Sequence, residues 1–190
     1  MGKIWAERGM AMTLEDAKQL LLTNNIAFET LEFSTEAEYW HHRMRFPYTK
    51  NAKPCKVIAI VVKSNNGKKN VELQFNSNGD SFFFEELSFG DYCFEMFDYY
   101  EEYLSKDLLG NIQLARSGSL KVILANDLRK RRWMSDACFD IKDEDDAFGA
   151  RGFQRAINKI NKPKNFISKM TKSKVLYEIY DWNTYQSIEK

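Results

Sequence analysis

Residues 55–63 read CKVIAIVVK, and this run of apolar, mostly β-branched side chains decides the fold. β-Branched residues favour extended structure, and a run without polar alternation is typical of a strand that is covered on both faces. We therefore predict a central β-strand here. Five of its side chains are expected to be buried: Val57, Ile58, Ile60, Val61 and Val62.

The sequence after this strand predicts an antiparallel meander. Two Asn-Gly pairs, at 66–67 and 78–79, favour tight hairpin turns because both residue types tolerate positive φ. Residues 70–75 alternate apolar and polar side chains, so Glu72 and Gln74 are expected on the outward face of a second strand. Two more strands are predicted at 81–89 and 92–97. With the central strand and the strand at 70–75, they complete a predicted sheet of about four strands.

The other predicted elements precede or follow the meander in the sequence. Thr13 can cap a first helix, and Gly118 suits the position that follows a helix over 101–117. The remaining elements are a strand at 26–33, a short helix at 35–42, a basic loop at 43–54, hairpin strands at 120–125 and 132–141, a helix at 146–161 and a strand at 175–182.

These elements predict an α+β protein in which a mostly antiparallel sheet, formed by the meander and the later hairpin, is covered by about three helices. The chain length favours a single domain, which we place at residues 13–190. Residues 1–12 have no clear pattern and are expected to be a flexible or extra segment. In the second strand of the later hairpin, one face is predicted to carry Trp133, Ala137, Phe139 and Ile141.

Composition restricts the class of protein. The chain is 44% hydrophobic, enough to form a core without a disulfide or a metal. Its net charge of +1 creates no global attraction to nucleic acid or membranes. No apolar run reaches the roughly 18 residues of a membrane span, and no secretion signal is seen. The three cysteines form no motif, so buried thiols in a cytoplasmic protein are expected at Cys55, Cys93 and Cys138.

No pattern for catalysis or for a cofactor is found. His41 and His42 are adjacent on a predicted helix, so their side chains diverge by about 100°, and we expect them to be solvated or half packed. Neither GxGxxG nor GxxxxGK occurs. The acidic residues between 140 and 146 lack the spacing of a calcium loop. We expect no catalytic residue, no cofactor and no metal, which favours a protein that is not an enzyme.

One pattern leaves an enzymatic alternative open. Asp140-Ile141-Lys142, on a hairpin strand between helices, resembles the Asp/Glu-x-Lys element of metal-dependent nucleases of the restriction type. Such a site needs a second carboxylate, because its two metal ions lie about 4 Å apart. We expect Ser119 or Leu120 opposite Asp140, while Asp127 at the turn would be about 20 Å away. The spacing argues against a divergent nuclease-like enzyme.

Charge is concentrated in separate segments. Between Asp80 and Asp107 there are nine acidic residues and one basic residue, with Phe and Tyr interleaved. Between Arg151 and Lys174 there are eight basic residues and no acidic one. A third cluster, at 129–132, forms the tip of the later hairpin. Such segments are either solvated or mutually packed faces, or they are docking surfaces.

The leading interpretation is a non-enzymatic protein-binding module, of inhibitor, immunity or adaptor type, with an acidic, Tyr/Phe-rich face for a basic partner. The candidate residues of that face are Asp91, Tyr92, Glu95, Asp98, Tyr99, Tyr100, Glu101 and Glu102.

The alternative partner is nucleic acid, bound by segments 129–132 and 151–174. The candidate residues are Arg129, Lys130, Arg131, Arg132, Arg155 and Lys159.

Overall fold

A computed structural model of the chain describes residues 12–47, 49–94, 101–141, 149–162 and 174–190. These residues form four helices and nine strands, and the strands form two antiparallel sheets. The predicted α+β class is therefore confirmed. The chain divides into two compact units, of which the first ends at Gln113 and the second begins at Leu114. The expectation of one domain over residues 13–190 stays a prediction.

The first unit contains a five-stranded sheet with the order β1-β2-β3-β4-β5. Strand β2 lies inside this sheet, and all of its residues are buried, so the predicted central strand is confirmed. The elements in chain order are α1 (Leu14–Thr23), β1 (Glu29–Phe33), α2 (Glu36–Arg43), β2 (Val57–Val62), β3 (Val71–Asn78), β4 (Ser81–Phe89) and β5 (Tyr92–Cys93).

Local signals in the first unit act as predicted. The Thr13 hydroxyl accepts a hydrogen bond from the N–H of Asp16 at 3.2 Å, and the N–H of Thr13 donates to the Asp16 carboxylate at 3.1 Å. This reciprocal cap begins α1. At the turn between β3 and β4, Gly79 has a φ of 63°. Glycine adopts this conformation without the strain that a side chain would cause.

The second unit contains a four-stranded sheet with the order β7-β6-β8-β9. Helix α4 packs on one face of this sheet, where Ile160 joins a cluster with Ile123 and Ile179, and Phe153 meets Phe139 at 5.9 Å between ring centroids. The remaining elements are α3 (Glu101–Arg116), within which the division falls, β6 (Leu120–Asp127), β7 (Arg132–Asp140), α4 (Ala150–Asn161), β8 (Val175–Tyr180) and β9 (Tyr185–Glu189).

Helix α3 ends at Arg116, two residues before the glycine that the sequence indicates. The N–H of Gly118 donates to the carbonyl of Ala115 at 3.1 Å, and Gly118 has a φ of 73°. A Cβ atom at this position would lie 2.9 Å from Nδ2 of Asn183. The positive φ therefore favours glycine here, and a Cβ atom would also displace the Asn183 amide. The buried face of α3 is formed by Leu104, Leu108, Ile112 and Ala115.

The strands are grouped differently from the expectation. The meander and the later hairpin belong to two sheets rather than one, and β9 was not predicted from the sequence. The predicted last strand at 175–182 ends at Tyr180. Within the described ranges, no helix combines the length and the apolar composition needed to cross a lipid bilayer.

Trp133 does not share the buried face of β7, so this prediction is wrong for that residue. Ala137, Phe139 and Ile141 belong to the core of the second unit, but Trp133 is exposed. The register of β6 and β7 shifts between Ala125 and Asn126, which makes a bulge in β7. A bulge inserts an extra residue and interrupts the alternation of the two faces.

Candidate functional site

The turn between β6 and β7, together with the first residue of β7, carries four consecutive cations, Arg129–Arg132, which we call the basic tip. All four residues are exposed, and no carboxylate of the described residues forms an ion pair with them. The turn is built by the Asp127 carboxylate, which accepts the N–H of Arg129 at 3.0 Å and that of Lys130 at 2.9 Å. The Asp127 side chain therefore stabilises the turn through its backbone amides, and the cationic side chains stay in solvent.

Helix α4 and Lys162, the residue that follows it, carry a second row of cations on the side opposite the apolar face of the helix. Its members are spaced by three or four residues, so they follow one side of the helix, and each of them is exposed. Phe153 and Ile160 lie on the apolar side, against the sheet. We call the exposed row the basic helix face: Arg151, Arg155, Lys159 and Lys162.

The basic tip and the C-terminal end of α4 lie at the same end of the sheet. The tip follows Asp127, which is paired with Val175 in the β6–β8 register. Val175 exchanges two backbone hydrogen bonds with Lys190, of 2.6 and 2.8 Å. The Lys190 ammonium in turn donates to the carbonyl of Ile160 and, at 3.0 Å, to that of Lys162. We call the basic tip, with the last two cations of the basic helix face, the basic end.

Carboxylates near the basic end are engaged in other contacts. Asp127 is bound to the amides of the turn, and the N–H of Lys130 holds the pKa of this carboxyl below its usual range. Glu189 forms an ion pair with Lys174. Glu178 is buried and accepts hydrogen bonds within the sheet. None of these three carboxylates forms an ion pair with the basic tip, although the charges of Lys130 and Arg132 also help to lower the pKa of Asp127.

The acidic, Tyr/Phe-rich face is described only in part. Asp91 is buried, and its carboxylate binds the Lys69 ammonium at 2.8 Å. Tyr92 is half-buried, and its ring meets that of Phe94 at 5.5 Å between centroids. Docking by this face stays a prediction, because six of its candidate residues have side chains outside the described part of the chain: Glu95, Asp98, Tyr99, Tyr100, Glu101 and Glu102.

The sheet of the first unit has a polar layer on the face that α2 covers. In the register of β3 and β4, Glu72 lies opposite Ser88 and Gln74 lies opposite Glu86. Glu72 is 5% exposed and Gln74 is 1% exposed. The prediction that these two side chains face outward is therefore wrong, because both faces of this sheet are covered. We use the name polar layer for these four residues together with Glu36 and Arg43.

Glu36 and Arg43, at the two ends of α2, connect this helix to the other residues of the polar layer. Glu36 accepts hydrogen bonds from the N–H of Lys53 at 2.5 Å and from Nε2 of Gln74 at 3.3 Å. Arg43, expected in a loop, is the last residue of α2, and its side chain is 1% exposed. Its guanidinium forms an ion pair with Glu86 and lies 4.8 Å from the centroid of a Trp40 ring. The polar layer is thus held together by a charge pair in which the Arg43 side chain is buried and the Glu86 side chain is 23% exposed.

Burial raises the pKa of the Glu72 carboxyl above its usual value, although the charges of His42 and Arg43 act in the opposite direction. Its Oε1 lies 4.0 Å from Nε2 of His42, while its Oε2 has no hydrogen-bond partner among the described residues. A group with a raised folded-state pKa favours folding below its unfolded pKa, and this contribution is lost as pH rises through the folded value. Ionised Glu72 therefore destabilises the first unit at higher pH.

We expect Glu72→Gln to stabilise the protein relative to wild type as pH rises above about 4.5, the ordinary value for this carboxyl. Each unit of pKa elevation corresponds to about 1.4 kcal/mol in this difference. Urea unfolding of both proteins between acidic and mildly alkaline pH measures it. Glu32→Gln, at an exposed position of β1, is the control and should show no such trend. A difference that stays constant with pH would contradict the prediction.

The thiols and histidines are only partly as expected. The three cysteines are free but half-buried rather than buried. Burial raises the pKa of the Cys93 thiol to about 12, against the effect of Arg43, so little reactive thiolate forms there. His41 and His42 are both exposed, as predicted.

Among the described residues, no second carboxylate lies opposite Asp140 to support the nuclease alternative. Asp140 lies opposite Leu120, and Asp127 lies opposite Arg132 at the other end of the hairpin, as the sequence predicts. Lys142 and the acids at 143–146 are outside the described residues. In the parts of the chain that are described, no cluster of three or more His, Cys, Asp or Glu side chains could hold a metal ion.

Comparison with known proteins found no matching family model, no matching curated protein and no matching solved structure.

Proposed function

We propose that this protein binds nucleic acid through the basic end of the second unit. The observation that carries the proposal is the basic tip, because four consecutive cations are exposed there without an ion-pair partner among the described residues. Exposed Arg and Lys side chains gain affinity for a polyphosphate by releasing its bound counterions. The last cations of the basic helix face continue this charge beyond the turn, so one strand can contact both elements.

The backbone at Arg131 gives further support. Arg131 has a φ of 48°, in the left-handed region that glycine adopts without strain. A residue with a side chain costs roughly 1 to 2 kcal/mol in this conformation. A cation at a position where glycine would fold more easily favours a binding role over a folding role for this side chain.

The test compares wild type with Arg129→Gln/Lys130→Gln, using fluorescence anisotropy of short labelled oligonucleotides over a series of salt concentrations. We expect the double variant to bind about tenfold more weakly. The slope of log K against log salt should fall in magnitude by about 0.7 to 0.9 for each phosphate contact that is lost. The thermal stability should be unchanged, because both side chains are exposed.

A matched control removes the same charge from the first unit. Lys50→Gln/Lys68→Gln replaces two exposed lysines by glutamine, so its net charge equals that of Arg129→Gln/Lys130→Gln. This control should bind like wild type. The proposal is wrong if wild type binds no oligonucleotide or if the control weakens binding equally. It is also wrong if polyglutamate displaces the oligonucleotide at equal charge concentration, since the partner would then be an acidic protein.

A further inference from the structure

Two large apolar side chains are exposed directly beside the basic tip. Trp133 is 48% exposed and Met134 is 46% exposed, and among the described residues the only other exposed large hydrophobic side chain is Leu22. Single exposed apolar residues are ordinary, but adjacent ones that border a charged surface indicate a contact site. Trp133 follows Arg132, the last residue of the basic tip, without an intervening residue.

The position of Trp133 in the sheet explains why its indole is accessible. Strand β7 is an edge strand, and residues 132–136 are all exposed. Because of the bulge opposite Asn126, the Trp133 side chain does not lie on the strand face on which Phe139 is buried. No aromatic ring of the described residues stacks on this indole. Its exposed surface can therefore receive a flat ligand.

We infer that Trp133 is a stacking platform for an unpaired base, so that the basic end selects single-stranded nucleic acid. This inference rests on the proposed function and specifies its ligand. Bases in a duplex stack on one another and present only their edges, whereas a single strand can turn a base onto an indole. Its neighbouring phosphates then meet Arg132 and the rest of the basic tip. Aromatic stacking next to a cationic track is how proteins hold single strands with little sequence preference.

The experiment separates base contacts from phosphate contacts with three probes. The probes are oligothymidylate, an abasic oligonucleotide of the same length, and a duplex. Trp133→Ala should weaken oligothymidylate binding by roughly 5- to 150-fold, the range for one stacked base. Its binding to the abasic strand and the duplex should be unchanged, and so should the salt slope, because no charge is removed. Trp133→Phe, which keeps a ring, should retain most of the affinity.

The charge variant provides the complementary result. Arg129→Gln/Lys130→Gln should weaken the binding of oligothymidylate and the abasic strand by the same factor and leave their ratio unchanged. If wild type binds none of the probes, both the proposed function and this inference are wrong. If wild type binds but Trp133→Ala has no effect, or affects all probes equally, the inference alone is wrong. The inference is also overturned if wild type dimerises in sedimentation and Trp133→Ala does not, because a second copy would then cover the indole.

Discussion

Replacing Arg43 by methionine is expected to lower the free energy of unfolding by about 3 to 5 kcal/mol. The guanidinium is almost completely buried and forms an ion pair with Glu86 inside the polar layer. Methionine keeps an apolar stem of similar length, so the loss comes mainly from carboxylates that remain in the layer without their cation. Glu72 is affected as well, because Arg43 opposes the rise in its pKa. Urea unfolding followed by circular dichroism measures the change.

Two controls identify the cause of this loss. Arg43→Met combined with Glu86→Leu removes both charges and should recover much of the stability, since apolar residues can replace a buried pair. Lys53→Met breaks an ion pair of 2.7 Å with Glu85, but these two side chains are 52% and 43% exposed. That change should cost about 1 kcal/mol or less. A loss for Arg43→Met no larger than for Lys53→Met would contradict the prediction.

The parts of the fold that depend on short-range signals are predictable from the sequence. A capping residue at Thr13, an Asn-Gly turn at Gly79 and a helix stop at Gly118 each act within a few residues, and all three form as expected. The β6–β7 register is also local, because the two strands are adjacent in sequence. Leu120 therefore lies opposite Asp140, as expected.

The separation into two sheets is not readable from these signals. Hydrophobic alternation indicates which side of a strand is buried, but it does not indicate which distant strand pairs with its edge. Strand β8 pairs with β6, although β7 and α4 lie between these two strands in the sequence. The position of β8 therefore depends on long-range contacts. Strand β9, which reads YQSIE, is short and mixed in polarity. Pairing with β8 therefore stabilises β9 as a strand, which its own sequence does not indicate.

The polar layer could have been anticipated by one further step. Strand β2 is apolar on both faces, which requires that both faces of its sheet are covered. Its neighbour β3 must then also be covered on both sides, and Glu72 and Gln74 become buried polar groups that need partners. The partners could not be identified from the sequence, because Arg43 is the last residue of a helix that the pattern predicted to end one residue earlier.

The candidate binding site was predictable in its charges but not in its geometry. The cluster at 129–132 is visible in the sequence, and a hairpin tip is an exposed place. The position of this tip at the same end of the sheet as the end of α4 depends on Val175, the first residue of β8, and on Lys190, the residue after β9. The exposure of Trp133 depends on a bulge, and no residue type in the sequence predicts this bulge. These two features were therefore accessible only from the structure.

Ile60→Ala is expected to lower the free energy of unfolding by about 2 to 5 kcal/mol, with a larger loss where the cavity does not collapse. Ile60 is completely buried in β2 and lies opposite Leu73 of β3 and Thr30 of β1. Pairing on both edges holds this backbone in place, so the strand cannot move to fill the space. Ile60→Val, which removes one methyl group, should cost only about 0.5 to 1.5 kcal/mol. Urea unfolding with an unchanged m-value would attribute the loss to the folded core. A cost for Ile60→Ala below that of Ile60→Val would show that β2 does not form the rigid centre of this sheet.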